Sequence, residues 1–147
     1  IGPASVNVSH SGSVMKVIDV YPEKFEYSKT ARNYLKSDYP MSGYQLMIRG
    51  ELFRGRFRKG FDNPLPFKPE EITPVNYTLY DVAHTFLPGH RLMIQIQSSW
   101  FPIIDRNPQK FIDTYHCTVE DFVMKQKIKI YHQQGAASRV ILPVVKK

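Results

Sequence analysis

The side chains of this sequence that we consider for serine or cysteine nucleophilic catalysis are its five histidines, its single cysteine and its serines. A nucleophilic serine or cysteine needs a base and an orienting acid, and the serine commonly lies on a Gly-x-Ser-x-Gly elbow. The sequence has no such elbow, because the segment Ser9 to Ser13 carries serine, histidine and glycine in a different order. Neighbouring side chains on a strand point to opposite faces, so His116 and Cys117 would not form a dyad. We predict no catalytic residue in this chain.

The histidines also lack the spacing of a metal site. Cys117 is alone, which excludes both a disulfide within the chain and a zinc site built from several thiolates. The short acidic and amide segment at Asp105 to Asn107 lacks the rest of a calcium-binding loop. The sequence therefore predicts no metal and no cofactor, although it contains His10, His84, His90, His116 and His132.

Three arginines alternate with aromatic residues in the segment Gly50 to Lys59. On a strand, Arg54, Arg56 and Arg58 would share one face, opposite the phenylalanines. They could form a ladder that binds phosphate or carboxylate groups. The favoured alternative is a solvated strand face, or a set of arginines paired with acids across a domain boundary.

The charge balance is basic, with 20 Lys and Arg against 13 Asp and Glu and a formal net charge of +7. Such a charge suits nucleic acid, an anionic membrane or an acidic partner domain. No ribonucleoprotein-type or glycine-clamp motif accompanies the arginines, so nucleic acid is a weak alternative. No apolar run approaches the roughly 18 residues of a membrane-spanning helix, so we predict no membrane partner.

Two large aromatic residues, Trp100 and Phe101, follow the alternating segment that begins at His90. Pro102 and Pro108 cannot donate to a strand ladder, which predicts an exposed loop after the segment. The aromatic rings could stack on sugars or pack against another domain, and the lack of a second spaced tryptophan favours packing. Trp100 is also in phase with the apolar residues of the segment, so it could instead cap the domain's own core.

Turn signals divide the chain into short alternating segments with very little helix, which predicts one all-β domain, a jelly-roll β-sandwich that spans residues 1–147. The segment Pro22 to Ser42 is interpreted as a long surface loop, and Val119 to Lys125 as a helical turn capped by Thr118. The eight predicted strands are Ala4 to Val8, Val14 to Tyr21, Tyr44 to Arg49, Glu51 to Arg58, Glu71 to Thr78, His90 to Ser99, Lys125 to His132 and Arg139 to Val145.

Several strings of residues, in this order along the chain, resemble the C-terminal domain of the CocE/NonD serine hydrolases. Within that family the sequence is most similar to glutaryl-7-aminocephalosporanic acid acylases and α-amino-acid ester hydrolases. The strings are Val17 to Pro22, Gly43 to Leu46, Arg49 to Glu51 with Arg54 to Arg58, Asp81 to Phe86, Gln97 to Pro102 with Asp105 to Gln109, and Tyr131 to Val144.

This resemblance implies a galactose-binding-like jelly roll, the non-catalytic C-terminal domain shared with X-prolyl dipeptidyl-peptidases. The chemistry would belong to an upstream α/β-hydrolase domain of the same polypeptide, which would cleave acyl esters or amides such as β-lactam side chains, amino-acid esters or X-Pro peptides. The chain, which begins at Ile1 without a signal peptide, is then expected to be a fragment. The resemblance also favours a periplasmic or secreted protein, and a homo-oligomer of the full-length protein is possible.

We expect this domain to cover one side of the catalytic cleft of the parent enzyme. The alternative is a free-standing carbohydrate-binding module. The sequence departs from the family pattern between Asn7 and Val8 and between Ser13 and Val14, where relatives usually have a few more residues, which we expect to be missing from this sequence. The candidate residues that face the catalytic domain are Trp100, Phe101, Arg54, Arg56, Arg58, Asp105 and Arg106.

Overall fold

The computed structural model describes residues 3–8, 12–34, 39–108, 110–122 and 127–145. Within these ranges the chain forms six strands in two three-stranded antiparallel sheets, which confirms the all-β prediction. One sheet has the order β4-β1-β6 and the other the order β3-β2-β5. The strands are β1 (Pro3–Val8), β2 (Gly12–Val20), β3 (Gln45–Arg54), β4 (Thr73–Thr78), β5 (Arg91–Gln97) and β6 (Arg139–Val140).

The central strand β2 pairs with β3 on one edge and β5 on the other, and buried residues lie on both of its faces. Its residues Met15 and Val17 pack with Val75 of β4 and with Leu79, which follows β4 directly. This contact joins the two sheets through one apolar core. Partly buried residues pack around it: Ile48, Phe53, Phe67, Ile94, Ile96 and Val140.

The two strands predicted at Tyr44 to Arg49 and Glu51 to Arg58 are one continuous strand, β3, which ends at Arg54. A 3-10 turn, Gly55–Phe57, follows it. A Cβ atom on Gly55 would lie 2.5 Å from the ring of Phe67, so the close approach of that ring requires glycine. The predicted strand Glu51 to Arg58 is therefore too long, and Arg56 and Arg58 lie beyond its end and do not share a strand face with Arg54.

The predicted strands near the carboxyl end are shorter than expected. Arg139 to Val145 reduces to the two residues of β6, and Pro143 cannot donate to a ladder. In the segment Lys125 to His132, residues 125 and 126 lie outside the described ranges, and of the rest only Ile130 forms an isolated bridge. Eight strands are thus not found in the described part of the chain, and the jelly-roll topology stays a prediction.

The predicted surface loop at residues 22–42 contains a short helix, α1 (Lys29–Tyr34), which the sequence analysis missed. The Ser28 hydroxyl accepts a hydrogen bond from the Ala31 amide at 3.1 Å, as an N-cap residue does. The predicted turn after Thr118 is present as a 3-10 turn, Val119–Asp121, with a capping box between Thr118 and Asp121. Residues 123–125 of that prediction lie outside the described ranges.

Both junctions at which family members have additional residues lie inside strands. The pairing register of β1 with β4 is continuous through Asn7 and Val8, and that of β2 with β3 is continuous through Ser13 and Val14. The expectation that residues are missing at these junctions stays a prediction.

Candidate functional site

Trp100, the first candidate residue, lies against the outer side of its own sheet. A Cβ atom on Gly50 would be 2.5 Å from the Trp100 ring, so the indole occupies the space above this glycine. Lys16 pairs with Gly50 across the strands, and its ammonium lies 4.8 Å from the centroid of the indole ring. The cation–π contact and the glycine together hold the start of the loop on the sheet.

The loop beyond Trp100 exposes two large apolar side chains. The residue Phe101 is 64% exposed and the residue Ile103 is 72% exposed. The Ile104 amide donates to the Trp100 carbonyl oxygen at 3.0 Å, which closes the turn that presents them. Exposed apolar groups on a fixed turn are typical of a surface that binds a partner.

Arg54 connects this loop to a later segment of the chain. Its guanidinium donates to the Asp105 carboxylate at 2.6 Å and to the Thr114 hydroxyl at 3.4 Å. The Arg54 side chain is 19% exposed, while that of Asp105 is 69% exposed. Because an exposed ion pair is worth about 0–1 kcal/mol, this contact fixes position more than it stabilises the fold.

Arg56 and Arg58 bind their own chain. The Arg56 guanidinium donates to the Ile112 carbonyl oxygen at 2.7 Å and lies over the Phe111 ring. Arg58 donates to three carbonyl oxygens in the turn that follows β3, those of Gly55, Leu65 and Pro66. Both arginines are therefore occupied as structural donors.

Arg106 makes cation–π contacts with two aromatic rings. Its guanidinium carbon is 5.6 Å from the centroid of the Phe101 ring and 5.1 Å from that of Phe122. Together the loop and its charged neighbours form one surface beside the end of β3. We call it the docking surface and define it by Phe101, Ile103, Asp105, Arg106 and Arg54.

A second cluster, which the sequence analysis did not single out, lies at the opposite end of β2. The Asp19 residue is 1% exposed. His84 Nε2 and His90 Nδ1 each lie 2.9 Å from one of its carboxylate oxygens. Because a carboxylate only accepts hydrogen bonds, both ring nitrogens donate to it.

Aromatic rings pack against His90, one of the two partners of this buried carboxylate. The Tyr21 ring centroid is 4.4 Å from that of His90, and Phe25 packs against both rings. Burial raises the pKa of the Tyr21 hydroxyl, and the negative charge of Asp19 raises it further. The one signal in the sequence was an aspartate inside the apolar run of β2, because a buried charge must find partners.

A third pair of titratable groups, Asp113 and His116, lies at the surface. The hydrogen bond from His116 is the main cause that lowers the pKa of the Asp113 carboxyl, and the Tyr115 amide adds to it. In the described ranges no set of three His, Cys, Asp or Glu side chains is placed to hold a metal ion. The helices of those same ranges are all too short or too polar to cross a membrane.

Comparison with protein families gives one match that covers most of the chain. Residues 12–141 match the model of the X-Pro dipeptidyl-peptidase C-terminal non-catalytic domain. The matched range contains both the docking surface and the buried cluster around Asp19.

Individual relatives agree with this match. The chain is 26% identical over 132 residues to a cocaine esterase of Rhodococcus sp. (strain MB1 Bresler), which covers 90% of this chain and 20% of the esterase. A solved α-amino acid ester hydrolase has a TM-score of 0.77 and 34% identity, and an aminopeptidase from a marine sediment Thaumarchaeota archaeon has a TM-score of 0.77 and 32% identity. These two structures match 93% of this chain, which spans 21% and 22% of their lengths. The chain thus spans about one fifth of the proteins it resembles.

Proposed function

The chain belongs to the X-Pro dipeptidyl-peptidase C-terminal non-catalytic domain family, as the C-terminal domain of CocE/NonD-type hydrolases, and on this premise we propose that it is the accessory domain of a larger serine hydrolase. The observation that carries the proposal is the match over residues 12–141 to a domain that fills only about one fifth of its relatives. This match does not favour a free-standing carbohydrate-binding module. We propose that residues 1–147 form one galactose-binding-like jelly roll.

The parent enzyme of this proposal cleaves acyl esters or amides, with β-lactam acyl side chains, amino-acid esters and X-Pro peptides as the substrate classes. The upstream α/β-hydrolase domain supplies the nucleophilic serine, its histidine base and the orienting aspartate. The accessory domain covers one side of the cleft, where it excludes water and provides an apolar wall. Phe101 and Ile103 are suited to this contact because both are exposed on a fixed turn.

The isolated chain should not hydrolyse a p-nitrophenyl ester above the buffer rate, because the sequence has no elbow serine. The measurement is the release of p-nitrophenol by the purified chain, with the full-length protein as the positive reaction. Activity of the isolated chain that disappears on mutation of one of its serines would overturn the proposal.

In the full-length enzyme, Phe101→Ala should raise KM with little change in kcat. A buried aromatic anchor contributes about 2 kcal/mol to a domain interface, and its loss would leave the cleft wall less firmly placed, so KM should rise several-fold. The matched control is Phe61→Ala, since Phe61 is also exposed, at 83%, but lies outside the docking surface. Equal KM values for the two variants would contradict the role of the docking surface.

A further inference from the structure

Asp19, near the end of the central strand β2, binds a histidine at each end of one surface loop. This loop, residues 84–90, begins at His84 and ends at His90, and each of the two imidazoles donates to a different oxygen of the same carboxylate. The side chains of Asp19 and His90 are 2% and 3% exposed, and that of His84 is 23% exposed. We call residues 84–90 the pinned loop.

Contacts within the pinned loop also fix its conformation. The His90 amide donates to the Leu87 carbonyl oxygen at 3.1 Å, and Gly89 adopts a φ of 84°, which favours glycine. The Phe86 ring meets the His84 ring edge-on, with 5.1 Å between centroids. A buried carboxylate destabilises the fold unless it is hydrogen-bonded. The two histidine hydrogen bonds that offset this cost also fix the conformation of the loop.

The pinned loop carries apolar side chains at the surface. Phe86 is 37% exposed and Leu87 is 53% exposed, and Tyr80, earlier in the same crossover from β4 to β5, is 69% exposed. A loop whose conformation is already set loses little conformational entropy when it binds. Exposed apolar groups on such a loop are therefore well suited to contact another protein surface.

The position of the first strand indicates which protein surface the pinned loop contacts. Pro3, at the start of β1, pairs with Thr78, the residue at the end of β4 where the crossover begins. Polypeptide that precedes residue 1 therefore reaches the domain beside this crossover.

The docking surface and the pinned loop lie at opposite ends of β2. Arg54 pairs with Gly12 at one end, while Arg91, next to His90, pairs with Val20 at the other end. The nine residues of β2 separate these ends by about 26 Å, at roughly 3.3 Å per residue.

We infer that the pinned loop is a second contact surface, which packs against an apolar patch of the polypeptide that precedes residue 1. The inference rests on the proposed function, which identifies that polypeptide as the catalytic portion. The parent enzyme would then hold this domain at two places, near the chain entry through the pinned loop and at the cleft through the docking surface.

The test is a photocrosslink in the full-length protein. A p-benzoylphenylalanine at position 87 should, on irradiation, form an intramolecular product that mass mapping locates in the polypeptide before residue 1. The same probe at Phe61, which is 83% exposed and follows the end of β3 that pairs with Gly12, away from the chain entry, is the matched control and should give no such product. A product that joins two copies of the chain, or no product at position 87, would overturn the inference.

A second variant tests the role of the pin. His84→Ala removes the more exposed of the two donors and leaves His90 on Asp19, so the fold should survive, as the circular dichroism spectrum will report. The crosslink yield at position 87 should then fall several-fold, whereas an unchanged yield would show that the hydrogen bond from His84 does not matter for the contact.

The two proposals fail in different ways. An active hydrolase without the crosslink would refute only this inference, while a full-length protein without hydrolase activity would refute the proposed function.

Discussion

Replacement of Asp19 by alanine should destabilise this chain by about 3–5 kcal/mol, the usual range when one partner of a buried charged hydrogen-bonded pair is removed. The substitution leaves two imidazole N–H groups without an acceptor. That of His84 can regain water because its side chain is 23% exposed, but that of His90 is in a side chain only 3% exposed. A buried donor without a partner loses its full hydration, which is the main origin of the expected effect. The midpoint of urea unfolding measures it.

Asp113→Ala is the matched control for this experiment, since Asp113 also accepts a hydrogen bond from a histidine three residues away, His116. Both of these side chains are exposed, at 58% and 84%, so water replaces the lost contact. The control should change stability far less than Asp19→Ala does. Asp19→Asn should fall between the two variants because an amide oxygen can still accept from one imidazole. Equal unfolding midpoints for Asp19→Ala and Asp113→Ala would show that the buried cluster does not hold the fold together.

The parts of the fold that the sequence could predict are those that depend on local alternation. The predicted strand His90 to Ser99 contains β5 (Arg91–Gln97), and the predicted strand Val14 to Tyr21 overlaps β2 (Gly12–Val20). Alternation defines which side chains share a face, but not whether another layer covers that face. Leu92 is in phase with Ile94 and Ile96 and yet is 44% exposed, because it lies near the end of its strand, beside Asp19.

The predicted strand Glu51 to Arg58 is too long because the alternation of Phe53 to Arg58 continues past the true end of β3. The strand ends where Phe67 packs onto Gly55, and this contact joins residues twelve positions apart through a loop that has no periodic pattern. Local residue types could not reveal it. The ion pair of Arg54 with Asp105 and the contact of Arg56 with Ile112 likewise span more than fifty positions.

The buried cluster illustrates the same limit for a site. Asp19 is separated by 65 and 71 positions from the two histidines that it binds. Motif spacing cannot detect such a group, whereas burial could have suggested it, since an acid in a strand with Val17 and Val20 cannot remain unpaired. Seven residues proposed as facing a partner were chosen for their chemistry, which could not reveal that Arg56 and Arg58 also bind carbonyl oxygens of their own chain. Which of the seven face a partner stays a prediction.

Trp100→Ala should lower the stability of the isolated chain by about 2–3 kcal/mol, below the roughly 3–5 kcal/mol expected of a fully buried tryptophan because this ring is only partly buried. The ring covers Gly50 and lies under the Lys16 ammonium, so its removal exposes the sheet and leaves the docking loop unfastened. Gly50→Ala should destabilise the chain through the same contact, by about 1–3 kcal/mol, because a methyl group at that position would displace the indole. The thermal midpoint of the isolated variants measures both effects.

Phe101→Ala separates the two roles that these neighbouring aromatic residues could have. Phe101 is 64% exposed, so its replacement should leave the thermal midpoint of the isolated chain unchanged while it raises KM in the full-length enzyme. Trp100→Ala should lower the thermal midpoint of the isolated chain. Its effect on KM should be indirect, through the loss of the contact that holds the loop on the sheet. If Trp100→Ala instead raised KM and left the isolated chain as stable as before, the indole would be an anchor of the interface, and the contact with Gly50 would be incidental to its role.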